Sequence, residues 1–323
     1  MKIDKKSIKL WSKMGSRAVF GLSLIEIQKE IENLLVVTAD VSTSAGLDRF
    51  KKICPDKYID VGIAEQNMIG VATGLSNLGY KTLTTTFSPF QILRCCEQIK
   101  NNLGYMNSDV VMVGLASGLV LGTLGFTHAS IEDVGAIRSI PNIKIISPAD
   151  CLETVKSIYA SLKNNSPTYI RLTGGQNNQI VYEDDYNYQI GKAIKLREGN
   201  EIAIVACGTR VRDAMDASDL YHQNFKKKIS VYNFHTIKPI DRETLITISK
   251  KYKYVLSYEE HNVIGGLGSS VSEVIASLNS SIRHFAYGVP DLYPKGGDYL
   301  DLLKTFKIDK DGIYQDILKL KKI

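Results

Sequence analysis

Nine short runs rich in β-branched and apolar residues constrain this chain most: LLVVTADV, KTLTTTF, DVVMVGLA, IKIISPA and PTYIRL, then EIAIVACG, KISVYNF, YVLSYEE and IRHFAYG. A strand with one face in water alternates apolar and polar positions, and these runs do not. They read instead as strands covered on both faces, and the longer helical patterns between them supply the cover. The fold class is therefore α/β. Between the fifth and sixth runs lies TGGQNNQIVYEDDYNYQIGKAIKLREGN, rich in Gly, Asn and Asp and without a helical period, which reads as a linker. A chain of 323 residues is long enough for two cores, so the expected units are 1–185 and 186–323. No internal repeat or low-complexity tract is evident.

Charge and hydropathy narrow the partners. The formal charge is +6, yet the lysines are interleaved with acids, as in KKYKYVLSYEEH, so no basic stripe points to nucleic acid. The apolar run VVMVGLASGLVLG is too short and too glycine-rich for a membrane span, which needs about 20 apolar residues. No apolar h-region follows MKIDKKSIKLWSK, so no secretory signal is expected. The five cysteines (Cys54, Cys95, Cys96, Cys151, Cys207) have neither CxxC nor Cys/His ligand spacing, which suits a reducing cytoplasm. Adjacent Cys95 and Cys96 point in different directions on a helix and read as small buried hydrophobes.

Three segments carry candidate chemistry. The first, DKYIDVGIAEQNMIGVATGLSNLGYKTLTTTFSPFQILRCCEQI, predicts a helix from Glu65 to Leu78 that stops at Gly79, with Met68, Val71, Ala72 and Leu75 on one face. Glu65 then stands at a strand-to-helix junction, where open α/β sheets bind ligands. Taken alone, such a glutamate is accounted for by the helix dipole. Phe87 and Phe90 follow, expected one helical turn apart, and alone they read as core. Arg94 sits four residues after Phe90, facing either the site or a surface acid, and receives no role. The second segment, GTLGFTHASIED, is a glycine-punctuated loop delivering His128. In the third, YEEHNVIGGLGSSVSEV, the adjacent Glu259, Glu260 and His261 do not converge on one cation, and Gly265, Gly266 and Gly268 allow close strand-helix packing.

Taken in order, GIAEQNMIG, FSPFQILRCCEQI, THASIED, IRSIPNIKIISPAD and YIRL, then KAIKLREGNEIAIVACG, NFHTIKPID and EEHNVIGGLGSS, resemble the transketolase family, including 1-deoxyxylulose-5-phosphate synthase, over nearly the whole chain. The resemblance implies two doubly wound domains, a thiamine-diphosphate pyrimidine-binding fold followed by a transketolase C-terminal-like fold. It implies thiamine diphosphate as cofactor, with Glu65 hydrogen-bonded to pyrimidine nitrogen N1′, Phe87 and Phe90 lining the aminopyrimidine pocket, and Asp40 among the cofactor contacts. It implies His128 as a catalytic contact to the donor sugar. Arg17 and Ser44 fall at positions resembling two contacts to the donor's terminal phosphate.

Other features of the family are missing. The GDG and following Asn that hold magnesium against the diphosphate do not occur, so a separate N-terminal diphosphate-binding chain is expected to hold Mg²⁺, in an α2β2 assembly. Ala116 stands where a transketolase histidine is expected, Gly174 where an arginine usually follows YIRL, and Leu124 where an aspartate reads a donor hydroxyl. A buried leucine there would leave that hydroxyl unsatisfied. The donor is thus expected to be an unphosphorylated or otherwise modified sugar rather than a standard ketose phosphate. Two-carbon ketol transfer to an aldehyde is the leading expectation. The alternatives are a beta-type subunit of a 2-oxo acid decarboxylating enzyme or deoxyxylulose-phosphate-type synthase, and a non-catalytic regulatory subunit.

Overall fold

A computed structural model describes residues 3–320. All nine runs form strands. Within the described residues the strands are β1 (Leu34–Thr38), β2 (Tyr58–Asp60), β3 (Lys81–Phe87), β4 (Val110–Leu115), β5 (Lys144–Ile146), β6 (Thr168–Arg171), β7 (Ile194–Arg197), β8 (Ile202–Ala206), β9 (Ser230–Asn233), β10 (Thr236–Lys238), β11 (Tyr254–Asn262) and β12 (Arg283–Val289). They make a seven-stranded sheet in the order β10-β5-β6-β4-β3-β1-β2 and a five-stranded sheet in the order β12-β11-β8-β9-β7. Every pairing is parallel except β10 on β5 and β7 on β9. The parallel strands β4 and β8 are buried along their whole length, as their unbroken apolar runs require.

Two elements depart from expectation. The stretch expected as a linker carries β7 and is pinned down rather than loose. The backbone N–H groups of Val181 and Tyr182 each donate to Asp150 Oδ2 at 2.9 Å, and Tyr182 and Tyr186 stack at 4.0 Å. The Tyr186 hydroxyl donates to Glu153 at 2.7 Å. Tyrosines with a partnered hydroxyl bury well without any periodicity, so the pattern of residues carries no warning of it. β10 lies in the NFHTIKPID segment, beyond residue 185, yet it closes the edge of the first sheet.

Helix Glu65–Asn77 forms as expected and ends before Gly79, whose φ of 93° is a left-handed conformation that suits glycine. Met68, Ile69 and Ala72 are buried, with Val71 and Leu75 packed against the same core. Glu259, Glu260 and His261 go to three different destinations. Glu259 caps helix Leu267–Ala276, accepting from the N–H groups of Leu267 at 2.7 Å and Gly268 at 2.8 Å. A Cβ on Gly266 would stand 2.0 Å from that carboxylate, so glycine is required there. Glu260 accepts from Leu119 N–H at 2.8 Å and the Tyr299 hydroxyl at 2.8 Å, while the His261 Nδ1 pairs with Asn262 O at 2.7 Å.

The two sheets are locked together by a buried guanidinium. Arg171, at the end of β6, is 1% exposed. Its Nε donates to Asp133 Oδ2 at 2.8 Å, and its Nη2 donates to Ser130 O at 3.1 Å and to Glu260 O, on β11, at 2.7 Å. Burial alone would push the Asp133 carboxyl up, but the charge of Arg171, with help from His261 and the Tyr169 hydroxyl, holds it below the usual carboxylate range. Among the described residues no helix is long and apolar enough to cross a membrane.

Replacing Asp133 by Asn leaves the buried Arg171 charge without its hydrogen-bonded counter-ion. Asp133→Asn is predicted to lower the unfolding free energy of the chain by about 3–5 kcal/mol. Urea denaturation measures this; an unchanged midpoint would show that the ion pair does not hold the halves together.

Candidate cofactor and substrate site

Glu65 is positioned by the turn that follows β2. Asp60, the last residue of that strand, accepts from the N–H groups of Asp40 and Gly62 at 3.0 Å each and from the Tyr58 hydroxyl at 3.0 Å. Burial pushes the Asp60 carboxyl up, but these hydrogen bonds outweigh it and hold the group below its usual value. They fasten the end of β1 to the turn that starts helix Glu65–Asn77. Asp40 takes part through its backbone, in a left-handed conformation with φ 55°.

The Glu65 side chain is 4% exposed. Its Oε1 accepts from Arg94 Nη1 at 2.6 Å, and among the described residues Oε2 has no hydrogen-bond partner. Phe87 closes β3 and Phe90 lies in the short helix Ser88–Ile92, so the two are not one helical turn apart: Ser88-Pro89 begins a new helix after the strand. Their rings meet edge to face at 6.4 Å and 87°. Phe90 also meets the His128 ring edge to face at 5.4 Å, and the Arg94 guanidinium carbon lies 4.2 Å from the Phe90 ring centroid. Glu65, Arg94, Phe90, Phe87 and His128 thus form one continuous set of contacts. Arg94 is the member to which sequence reasoning assigns no role. The helix that would have set its direction ends at Ile92, and the Arg94 N–H turns back to Pro89 O at 3.3 Å.

His128 sits on a loop held by the second half of the chain. A Cβ on Gly122 would lie 2.2 Å from Leu302, and the Gly297 N–H donates to Gly122 O at 3.0 Å. His128 Nδ1 pairs with the Thr127 hydroxyl at 3.0 Å, which leaves Nε2 for a ligand. Cys95 is buried behind this group; burial, reinforced by the Glu65 charge, pushes its thiol up to about 12, which makes it unreactive.

Arg17 and Ser44 lie together in a separate cavity of about 230 Å³, with Gly15, Thr43, Gly175 and Gln176. Burial lowers the Arg17 guanidinium from its usual value, and among the described residues no acid or acceptor pairs with it. A larger cavity of about 600 Å³ shares the Gly174–Gln176 wall and contains none of the Glu65 group. Three expected departures can be placed. Ala116 is buried with φ 50° and offers no polar group. Gly174 has φ 79°, and a Cβ there would meet Asn178 Oδ1 at 2.6 Å, so an arginine does not fit this turn. Leu124 is 57% exposed, which corrects the expectation that it is buried: it lies on the outer side of the Gly122–Leu124 turn.

The residues present suit an aminopyrimidine: a buried carboxylate with one oxygen unpaired among the described residues, linked through Arg94 to two aromatic rings and an imidazole. Among the described residues no group of three or more His, Cys, Asp or Glu is arranged to hold a metal.

Residues 12–178 match the family described as transketolase, pyrimidine binding domain, and residues 191–313 match transketolase, C-terminal domain. The chain belongs to the transketolase family. It is 38% identical over 290 residues to an apulose-4-phosphate transketolase subunit of Actinobacillus succinogenes, covering 89% of this chain and 92% of that protein. It is 35% identical over 280 residues to the 6-deoxy-6-sulfo-D-fructose transketolase subunit SqwH of Clostridium sp., covering 86% of each. A solved structure described as a split gene transketolase, inactive beta4 tetramer, superposes with a TM-score of 0.85 at 30% identity, over 95% of this chain and 97% of that one.

Proposed function

We propose that this chain is the pyrimidine-binding plus C-terminal half of a thiamine diphosphate-dependent split transketolase, moving a two-carbon ketol unit from a ketose-type donor to an aldehyde acceptor. The observation that carries this reading is the buried Glu65 carboxylate, its Oε2 unpaired among the described residues, in one run of contacts through Arg94 with Phe90 and His128. When bound, the cofactor supplies the carbanion and the electron sink. Glu65 Oε2 holds the proton shared with pyrimidine N1′. Phe87 and Phe90 pack on the flat heterocycle, and His128 Nε2 hydrogen-bonds or protonates a donor oxygen. A separate N-terminal diphosphate-binding chain holds Mg²⁺ and completes an α2β2 assembly, and Asp40 is among the cofactor contacts. Residues 1–185 and 186–323 are the two units, and five free cysteines fit a cytoplasmic protein.

The donor reading rests on Arg17. A partly buried guanidinium with no partner among the described residues is a receptor for an anion. With Ala116 and Gly174 offering no second cation, the donor is a modified sugar that keeps one terminal anionic group, gripped by Arg17 and Ser44. The relatives named for a phosphorylated apulose and for a sulfonated fructose are consistent with such variety.

Three outcomes follow. The chain by itself, studied by calorimetry, is expected to bind thiamine diphosphate weakly even with magnesium; tight, magnesium-dependent binding would contradict a two-chain site. In the assembled enzyme, Glu65→Gln is expected to slow exchange of the thiazolium proton by about 10²–10⁴-fold; near-normal exchange would remove Glu65 from its role. In steady-state assays of the assembled enzyme, xylulose 5-phosphate is expected to have a lower kcat/KM than the best modified ketose tried, and equal or higher values for xylulose 5-phosphate would refute the donor reading.

A further inference from the structure

We infer that Arg94 is a positioning residue of the cofactor half-site, fixing which Glu65 oxygen faces the pyrimidine and holding the Phe90 ring beside it. The inference rests on the reading of Glu65 as the partner of N1′. A carboxylate on a flexible stem has two equivalent oxygens, and only one can be aimed at a ring nitrogen at a time. Arg94 Nη1 takes Oε1 at 2.6 Å in a charge-assisted hydrogen bond, so Oε2 is the oxygen left over. The same guanidinium lies over Phe90 at 4.2 Å, and Phe90 meets His128 at 5.4 Å. One side chain thereby connects the acid, the stacking ring and the imidazole.

The backbone around Arg94 serves this geometry. Its carbonyl accepts from Gln66 Nε2 at 3.1 Å, which ties the turn after Ile92 to the first turn of the helix that bears Glu65. The Arg94 side chain is 43% exposed and Glu65 only 4%. An ion pair that served stability alone would be expected either wholly outside, where it contributes little, or wholly inside with further partners. This one reaches inward from an accessible position, and Glu65 is its sole side-chain hydrogen-bond partner among the described residues. A lysine keeps the charge but loses the planar fork and the stacking on Phe90.

The test uses the assembled two-chain enzyme with Arg94→Gln, Arg94→Lys and Glu65→Gln. It measures the thiamine diphosphate Kd by calorimetry with magnesium, thiazolium proton exchange at saturating cofactor, and the unfolding midpoint of each variant chain. Arg94→Gln is expected to raise Kd and to slow exchange by about tenfold or more each, the scale seen when a group that orients a ligand is removed, with the midpoint unchanged. Arg94→Lys is expected to recover part of both. Wild-type Kd and exchange in Arg94→Gln would overturn the inference, as would a loss that merely follows a lowered midpoint. If Glu65→Gln slows exchange and Arg94→Gln does not, the positioning role alone fails. If Glu65→Gln exchanges normally, the reading of Glu65 fails and this inference falls with it.

Discussion

The architecture depends on one guanidinium that has been taken out of water. Burying Arg171 is costly unless its donors and charge are met, and they are met by groups from both halves of the chain: Asp133, Ser130 O and Glu260 O. Ser130 also closes the His128 loop, pairing through backbone with Gly118, and Glu260 holds the Leu119 N–H at the other end of that loop. A Cβ on Gly118 would stand 2.3 Å from the Glu260 carboxylate, so close contact between loop and second sheet is built into the residue choice. His128 is therefore carried by the first half but placed by the second.

Much of this is legible in the sequence, and for a physical reason. Strands buried on both faces leave long apolar runs, so most of those runs are visible for that reason, whereas β12 forms a strand but is a largely half-exposed edge rather than a strand covered on both faces, and helix Glu65–Asn77 announces itself by its periodic apolar face and by Gly79. Short antiparallel edge strands leave no such trace, so β7 and β10 escape detection, and the tyrosine anchors of the segment before β7 read as a linker. Side-chain direction is harder still. The spacing of Phe87 and Phe90 is compatible with one helix, but Phe87 ends a strand. The pairing of Glu65 with Arg94 spans 29 residues and follows from how a turn leaves a helix, which no spacing rule encodes. Leu124 shows the same limit, since exposure in a glycine-rich turn is decided by the turn.

The site is asymmetric in what it offers. It presents an acid, rings and an imidazole in one run of contacts, and a separate cavity with an arginine that has no partner among the described residues; the proposal gives the first to the cofactor and the second to the far end of a sugar. Among the described residues no group of three or more His, Cys, Asp or Glu is arranged to hold a metal, so the grip on a diphosphate belongs to the proposal of a partner chain.

The central claim, two-carbon transfer by a site shared between chains, is tested most directly by isotope tracing. The chain is mixed with its diphosphate-binding partner, thiamine diphosphate, magnesium, a panel of ketoses labelled with ¹³C at the first two carbons, and an aldehyde acceptor, and the products are followed by NMR. The account predicts a new ketose longer than the acceptor by the intact labelled pair, formed only when both chains are present, with no carbon dioxide released from added pyruvate. Decarboxylation of pyruvate without transfer of the labelled pair, or transfer by either chain alone, would contradict it.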